Sequence, residues 1–214
     1  MSRQLIFAIA LLPMIAGCAR QQPPASPPVA SPAATVPATT AQADSEVEPA
    51  QTSYAQVLQL QGVTFNVTSP NSTTSNTVTV STTGLANDNS SWSQDIDGLV
   101  TGAEVADLNV DGSPEVYVYV KSNGADAQGS VVAYVANDRK SLSMASMPPL
   151  TDTPGAADGY QGGDEFAVLE GVLGRRFPIH GEGGALTGRT RQLQYKLTPG
   201  EAVWVLVPDR TTEF

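Results

Sequence analysis

Residues Glu115-Val116-Tyr117-Val118-Tyr119-Val120 decide the fold. β-Branched and aromatic side chains fill this stretch, a composition that suits a pleated strand and loses rotamer freedom in a helix. Residues 122–129 separate it from a second run of the same kind, Val131-Val132-Ala133-Tyr134-Val135. Further out, apolar and polar residues alternate in Val63-Thr64-Phe65-Asn66-Val67 and in Thr77-Val78-Thr79-Val80-Ser81. Towards the C-terminus come Glu165–Leu169 and residues 173–179, 192–197 and 202–207. Each run is short and bounded by Gly, Asn, Asp or Pro. The pattern predicts an all-β fold, an antiparallel β-sandwich of short strands with at most a short helical segment. That segment is residues 53–60, read as one or two amphipathic turns with Ser53 as the cap. No internal repeat is visible.

Upstream of this β-rich region the texture changes. Arg3 precedes an apolar run from Leu5 to Met14, and Ile15-Ala16-Gly17-Cys18 follows it. The run is too short to span a bilayer, and small residues before a cleavage point fit a processed signal. The four residues resemble a bacterial lipobox, which implies that Cys18 is lipidated and becomes the new N-terminus. Residues 1–17 are then a signal peptide. Residues 18–51 are the lipidated cysteine and a Pro/Ala/Ser-rich tether, because Pro23, Pro24, Pro27, Pro28, Pro32 and Pro37 interrupt a stretch without hydrophobic periodicity. Fully extended, the tether reaches up to about 100 Å. Residues 52–214 are the folded domain. Ala19 lacks the aspartate associated with inner-membrane retention, so the expected location is the periplasmic face of the envelope, at the outer membrane. The lipid on Cys18 is the only membrane contact expected.

Cys18 is the single cysteine, so no intramolecular disulfide forms and the core alone must hold the domain. The chain carries 21 acidic and 11 basic residues. Three of the acids and two of the bases precede Thr52, which leaves the domain with 18 and 9. An acidic surface argues against nucleic acid and would steer a basic protein partner. Oligomeric state stays open, a homodimer included.

Asp107-Leu-Asn109-Val-Asp111-Gly112-Ser-Pro-Glu115 places oxygen ligands before a glycine as calcium loops do. Position twelve of an EF-hand falls on Val118, which cannot ligate, while Glu115 at position nine suits a propeller-type loop. The simpler expectation is a tight turn whose Asp and Asn side chains bond their own backbone, with a positive φ at Gly112 and no metal. Asp107, Asn109 and Asp111 stay as metal candidates, and no cofactor is expected. His180 is the only histidine and reads as an exposed loop residue ahead of Gly181. Two carboxylate pairs, Asp95 with Asp97 and Asp164 with Glu165, have the chemistry of glycoside hydrolysis only if they face each other across a cleft. Asn66, Asn71 and Asn89 match the glycosylation acceptor pattern and read as strand and turn residues. Nothing here assembles a catalytic centre, so no enzyme is expected.

Taken together, several motifs resemble one family. Asp107-Leu-Asn-Val-Asp-Gly-Ser-Pro-Glu-Val-Tyr-Val-Tyr-Val is similar to the periplasmic inhibitors of invertebrate-type (i-type) lysozyme. So are Asn137-Asp-Arg-Lys-Ser-Leu-Ser, Met147-Pro-Pro-Leu, Asp164-Glu-Phe-Ala-Val, Arg175-Arg-Phe-Pro and Arg191-Gln-Leu-Gln-Tyr-Lys-Leu, in that order. The resemblance covers most of residues 61–207. It implies a β-sandwich that binds an i-type lysozyme and blocks its cleft with the loop at 122–129. The partner-binding residues so implied are Ser122, Gly124, Ala125, Asp126, Ala127, Gln128 and Gly129. In the family pattern the loop reads Ser-Gly-Ser-Tyr-Gly, and its serine and tyrosine enter the cleft. Here Ala125 stands at the first serine and Gln128 at the tyrosine, while Gly129 matches. Glutamine buries less area than tyrosine and loses more rotamer freedom, so weaker inhibition or a shifted target is expected. A binding module of the same fold for another wall-degrading enzyme, and a calcium-binding adhesion or structural domain, remain open.

Overall fold

The computed structural model describes residues 52–214; the signal, Cys18 and the tether expected from the sequence lie outside the described residues. Two sheets make up the fold. The smaller is an antiparallel meander of β1 (Tyr54–Leu60), β2 (Val63–Ser69), β3 (Asn76–Thr83) and β4 (Trp92–Ile96). The larger comprises β5 (Leu99–Ala106), β6 (Glu115–Lys121), β7 (Gly129–Asn137), β8 (Ser141–Ser146), β9 (Glu165–Leu169), β10 (Val172–His180), β11 (Leu186–Pro199) and β12 (Trp204–Glu213). Its spatial order is β5-β6-β7-β8-β12-β11-β10-β9. This sheet curls until its two edges approach. Glu104 on β5 bridges them, its Oε2 accepting from the Val168 backbone N–H on β9 at 2.8 Å and from the Tyr119 hydroxyl. Leu150–Asp152 and Glu182–Gly184 are short 3-10 turns, and no helix among the described residues is long and apolar enough to cross a membrane.

The stretch Glu115–Val120 of β6 divides the molecule. Successive side chains of a strand point to opposite faces. Val116, Val118 and Val120 therefore join Val63, Phe65, Val67, Val78 and Val80 of the small sheet in one core. Tyr117 and Tyr119 point the other way, into a second core with Leu173, Phe177, Leu193, Tyr195 and Leu206 inside the curled sheet. Residues Glu115 to Val120 are all buried, so β6 is a wall shared by both cores. A fully buried large apolar side chain contributes about 1.5–3 kcal/mol, whereas an exposed ion pair contributes about 0–1. The two cores are thus what stabilise a domain that has no disulfide.

The all-β expectation holds, with three differences of detail. Residues 53–60 form no helical turn; they are strand β1, with Tyr54, Leu58 and Leu60 facing inward and Val57 outward at 69% exposed. Gln and Ala suit helices, but the following Gln61-Gly62 takes positive φ at both residues (50° and 83°), a hairpin turn that pairs β1 with β2. Strands β4, β5 and β8 have weak sequence signals, because polar residues and Gly102 interrupt them. Finally, β11 runs for 14 residues, and the larger sheet includes one short parallel junction, Trp204–Val205 of β12 beside Ala145–Ser146 of β8.

Candidate functional site

Residues 122–129 connect β6 to β7 at one end of the shared wall. The register closes on Lys121 opposite Gly129. Inside the connection the Ser122 N–H donates to Gln128 O at 2.8 Å, the Gln128 N–H donates to Ser122 Oγ at 2.9 Å, and the Ala127 N–H donates to Gly124 O at 3.1 Å. These bonds make a compact turn that leaves Asn123, Gly124, Ala125, Asp126 and Gln128 exposed. The loop is not free on every side, because one flank rests on a neighbouring segment. The Gly163 N–H donates to Ala127 O at 3.3 Å. A Cβ on Gly162, whose φ is +85°, would lie 1.5 Å from Asp126 O, so the loop's second leg rests on the 162–163 backbone and admits no side chain there.

The base of the loop is fixed by a buried ion pair. Asp164 Oδ2 accepts from the Gly129 N–H at 2.6 Å and from the Tyr160 hydroxyl at 2.5 Å. Its Oδ1 accepts from Arg175 Nε at 2.6 Å. Arg175 Nη2 donates to Tyr160 Oη at 3.2 Å. The side chains are 7% and 0% exposed for Arg175 and Asp164. The Arg175 guanidinium also lies 5.2, 5.5 and 5.7 Å from the ring centroids of Tyr160, Phe166 and Phe177. Burial works against the Arg175 charge, but its hydrogen bond and charge pairing with Asp164 outweigh that and raise its pKa. Burial, followed by the bond to Asp164, pushes Tyr160 up to about 12, so its hydroxyl stays a donor at neutral pH. A shallow groove lined by Gln128, Val131, Met147, Pro148 and Tyr160 runs beside this mount.

Sequence reasoning missed the mount, though a signal was present. Leu173, Arg175, Phe177 and Ile179 share a strand parity, so one arginine must face the core. A buried guanidinium demands an internal counter-charge. Asp164, one residue before β9, supplies it.

The proposed carboxylate pairs do not converge. Asp164 points inward to Arg175, while Glu165 points outward to Arg176 at 2.5 Å across an exposed surface. Asp95 on β4 accepts from Thr77 Oγ1 at 3.1 Å and is exposed, as is Asp97 beyond the strand end. His180 is not an exposed loop residue. It ends β10, half-buried, and its N–H donates to Gly159 O at 2.8 Å because β10 extends past Pro178 through a bulge. Asn71 ties the β2–β3 connection to β5, and Asn89 organises a turn. The Asn71 side chain exchanges two bonds with the Val100 backbone, at 3.1 and 2.9 Å, and Asn89 does the same with Leu85, at 3.0 and 2.8 Å.

At the far end of β6 lies the aspartate loop, where the expected turn is present. Asp107 Oδ1 accepts from the Asp111 N–H at 3.0 Å and Oδ2 from the Gly112 N–H at 3.0 Å. Asp111 Oδ1 accepts from the Ser113 N–H at 2.8 Å, and the φ of Gly112 is +81°. Glu115, which opens β6, is fully buried beside them.

Comparison with protein-family models and with curated proteins finds no match to this chain.

Proposed function

We propose that residues 52–214 are a non-catalytic binding module that occludes the active-site cleft of a lysozyme, the invertebrate type first among them, through the exposed tip of the loop at 122–129. The observation that carries this reading is the way the loop is held. An exposed turn sits on the most buried strand of the fold and is fixed at its base by the Asp164–Arg175–Tyr160 cluster. A projection ordered before binding loses little conformational entropy on entering a cleft. Ala125, Asp126 and Gln128 present a small, polar, acidic tip, which suits a cleft offering hydrogen-bond donors. The acidic balance of the domain suits a basic partner. The lysozyme target rests on the sequence resemblance, as does a tether to the envelope through a lipid on Cys18.

The test is to titrate the purified chain against lysozymes of different classes while following lysis of cell-wall substrate. Saturable inhibition of an i-type lysozyme, lost when Asp126 and Gln128 are replaced by Lys and Ala, is expected. Absence of binding to every class at about 100 µM would overturn the reading.

A further inference from the structure

We propose that the end of β6 opposite the loop holds a calcium ion, bound by Asp107, Asn109, Asp111 and Glu115. The residue that turns an ordinary Asx-rich turn into a site is Glu115. Asp107 and Asn109 are half-exposed and Asp111 exposed, and such acidic turns are common without any ion. Glu115 differs because it is 0% exposed. Its Oε2 accepts from the Leu108 N–H at 2.8 Å and the Tyr117 hydroxyl at 3.3 Å. Its Oε1 is buried with no hydrogen-bond partner. One carboxylate oxygen each from Asp107, Asp111 and Glu115 lie within 4.8 Å of one another, so the buried carboxylate belongs to the same cluster as the turn.

No Lys or Arg among the described residues pairs with any of the three. Three clustered carboxylates without a cation, one of them out of water, are unfavourable at neutral pH. A bound cation removes the conflict directly. The donors are all hard oxygens, three of them anionic. Calcium tolerates irregular oxygen cages of this kind, whereas magnesium demands near-ideal octahedral geometry, and zinc prefers the nitrogen and sulfur donors that are absent here. Gln61 Nε2, in the β1–β2 hairpin, donates to Asp107 Oδ2 at 2.7 Å. The ion would therefore stiffen the turn and its link to the small sheet. The site is independent of what the loop at 122–129 binds.

The experiment is thermal unfolding of the full chain in EDTA and in calcium chloride, with terbium luminescence as a direct probe. The Tyr117 hydroxyl contacts Glu115, which places a sensitising ring beside the ion. Calcium at a hundred times its dissociation constant should raise Tm by roughly 5–10 °C. Excitation of tyrosine should produce terbium emission that calcium displaces. Glu115→Gln preserves shape and removes the buried charge, so it should melt higher than wild type in EDTA and show no response to calcium. Asp111→Ala, at an exposed position, should fold normally and also lose the response. Equal melting in EDTA and 10 mM calcium without terbium emission would overturn the proposal. So would a full calcium response retained in Glu115→Gln, or an equal Tm shift from magnesium.

Discussion

Replacing Arg175 by Met tests whether the cluster under the loop is what holds it. Methionine keeps the length of the arginine stem and its contact with Tyr160, Phe166 and Phe177. It removes the cation from Asp164, whose side chain is 0% exposed and then keeps only the Gly129 N–H and Tyr160 hydroxyl. Removing one partner of a buried pair costs about 3–5 kcal/mol, because the other charge is left uncompensated. Lost cation–π contact adds about 1–2 kcal/mol at a desolvated site. For a domain of this size each kcal/mol moves Tm by about 2–4 °C, so the melting temperature should fall by roughly 8–28 °C. Asp164→Asn should cost a similar amount, since the Arg175 charge then stays buried alone. The double variant Arg175→Met with Asp164→Asn should cost much less than the sum, with a coupling of at least about 2 kcal/mol. Urea unfolding followed by circular dichroism measures all four corners of the cycle. Single variants within about 1 kcal/mol of wild type, or strictly additive effects, would refute the reasoning and reduce the pair to a bystander.

Other outcomes follow from the same geometry. Gln128→Tyr combined with Ala125→Ser should tighten inhibition of an i-type lysozyme by about thirtyfold, since one buried aromatic anchor is worth on the order of 2 kcal/mol; equal inhibition constants would move the interface away from the loop. Gly162→Ala should displace the second leg of the loop, because its Cβ would overlap Asp126 O, and native-state proteolysis between residues 122 and 129 should accelerate. Glu213 accepts from Arg191 and from Arg189, and the Arg191 bond above all holds its pKa below the usual carboxylate range. That contribution to stability is present above about pH 4.5 and is lost as pH falls through the depressed value, so Glu213→Gln should narrow its stability deficit against wild type in acid; a deficit that does not change with pH would count against it. Association with a basic lysozyme should slow as salt exceeds physiological strength, where screening lengths drop below about 8 Å, and a salt-independent on-rate would remove charge steering.

The β architecture was legible because Val and Tyr alternate in β6 and Val and Thr in β2 and β3; in β2 and β3 that alternation survives as burial parity, and in β6 it divides the side chains between two cores. What the sequence hid is which side of β6 meets which partner. Both its faces are apolar, so periodicity alone does not reveal two cores. The helical reading of residues 53–60 failed because local helix preference there is overridden by pairing with β2 through the Gln61-Gly62 turn. At the site, the turn at Asp107 was readable from local spacing, whereas the burial of Glu115 comes with the packing of β6 between two cores, which is tertiary. The Asp164–Arg175 pair joins residues 11 apart, one just before β9 and the other on β10, and only parity on β10 hints at it.

One consequence of the shared wall concerns the order in which the molecule opens. Both cores lose a face if β6 departs, so its amide protons should exchange with solvent only when the whole domain unfolds, while those of β1 and of the exposed start of β11 exchange through local fraying. The strand that carries the loop is thus the last segment to loosen. A partner pulling on the tip would load the most slowly exchanging backbone in the chain, and mechanical resistance would be greatest along that axis.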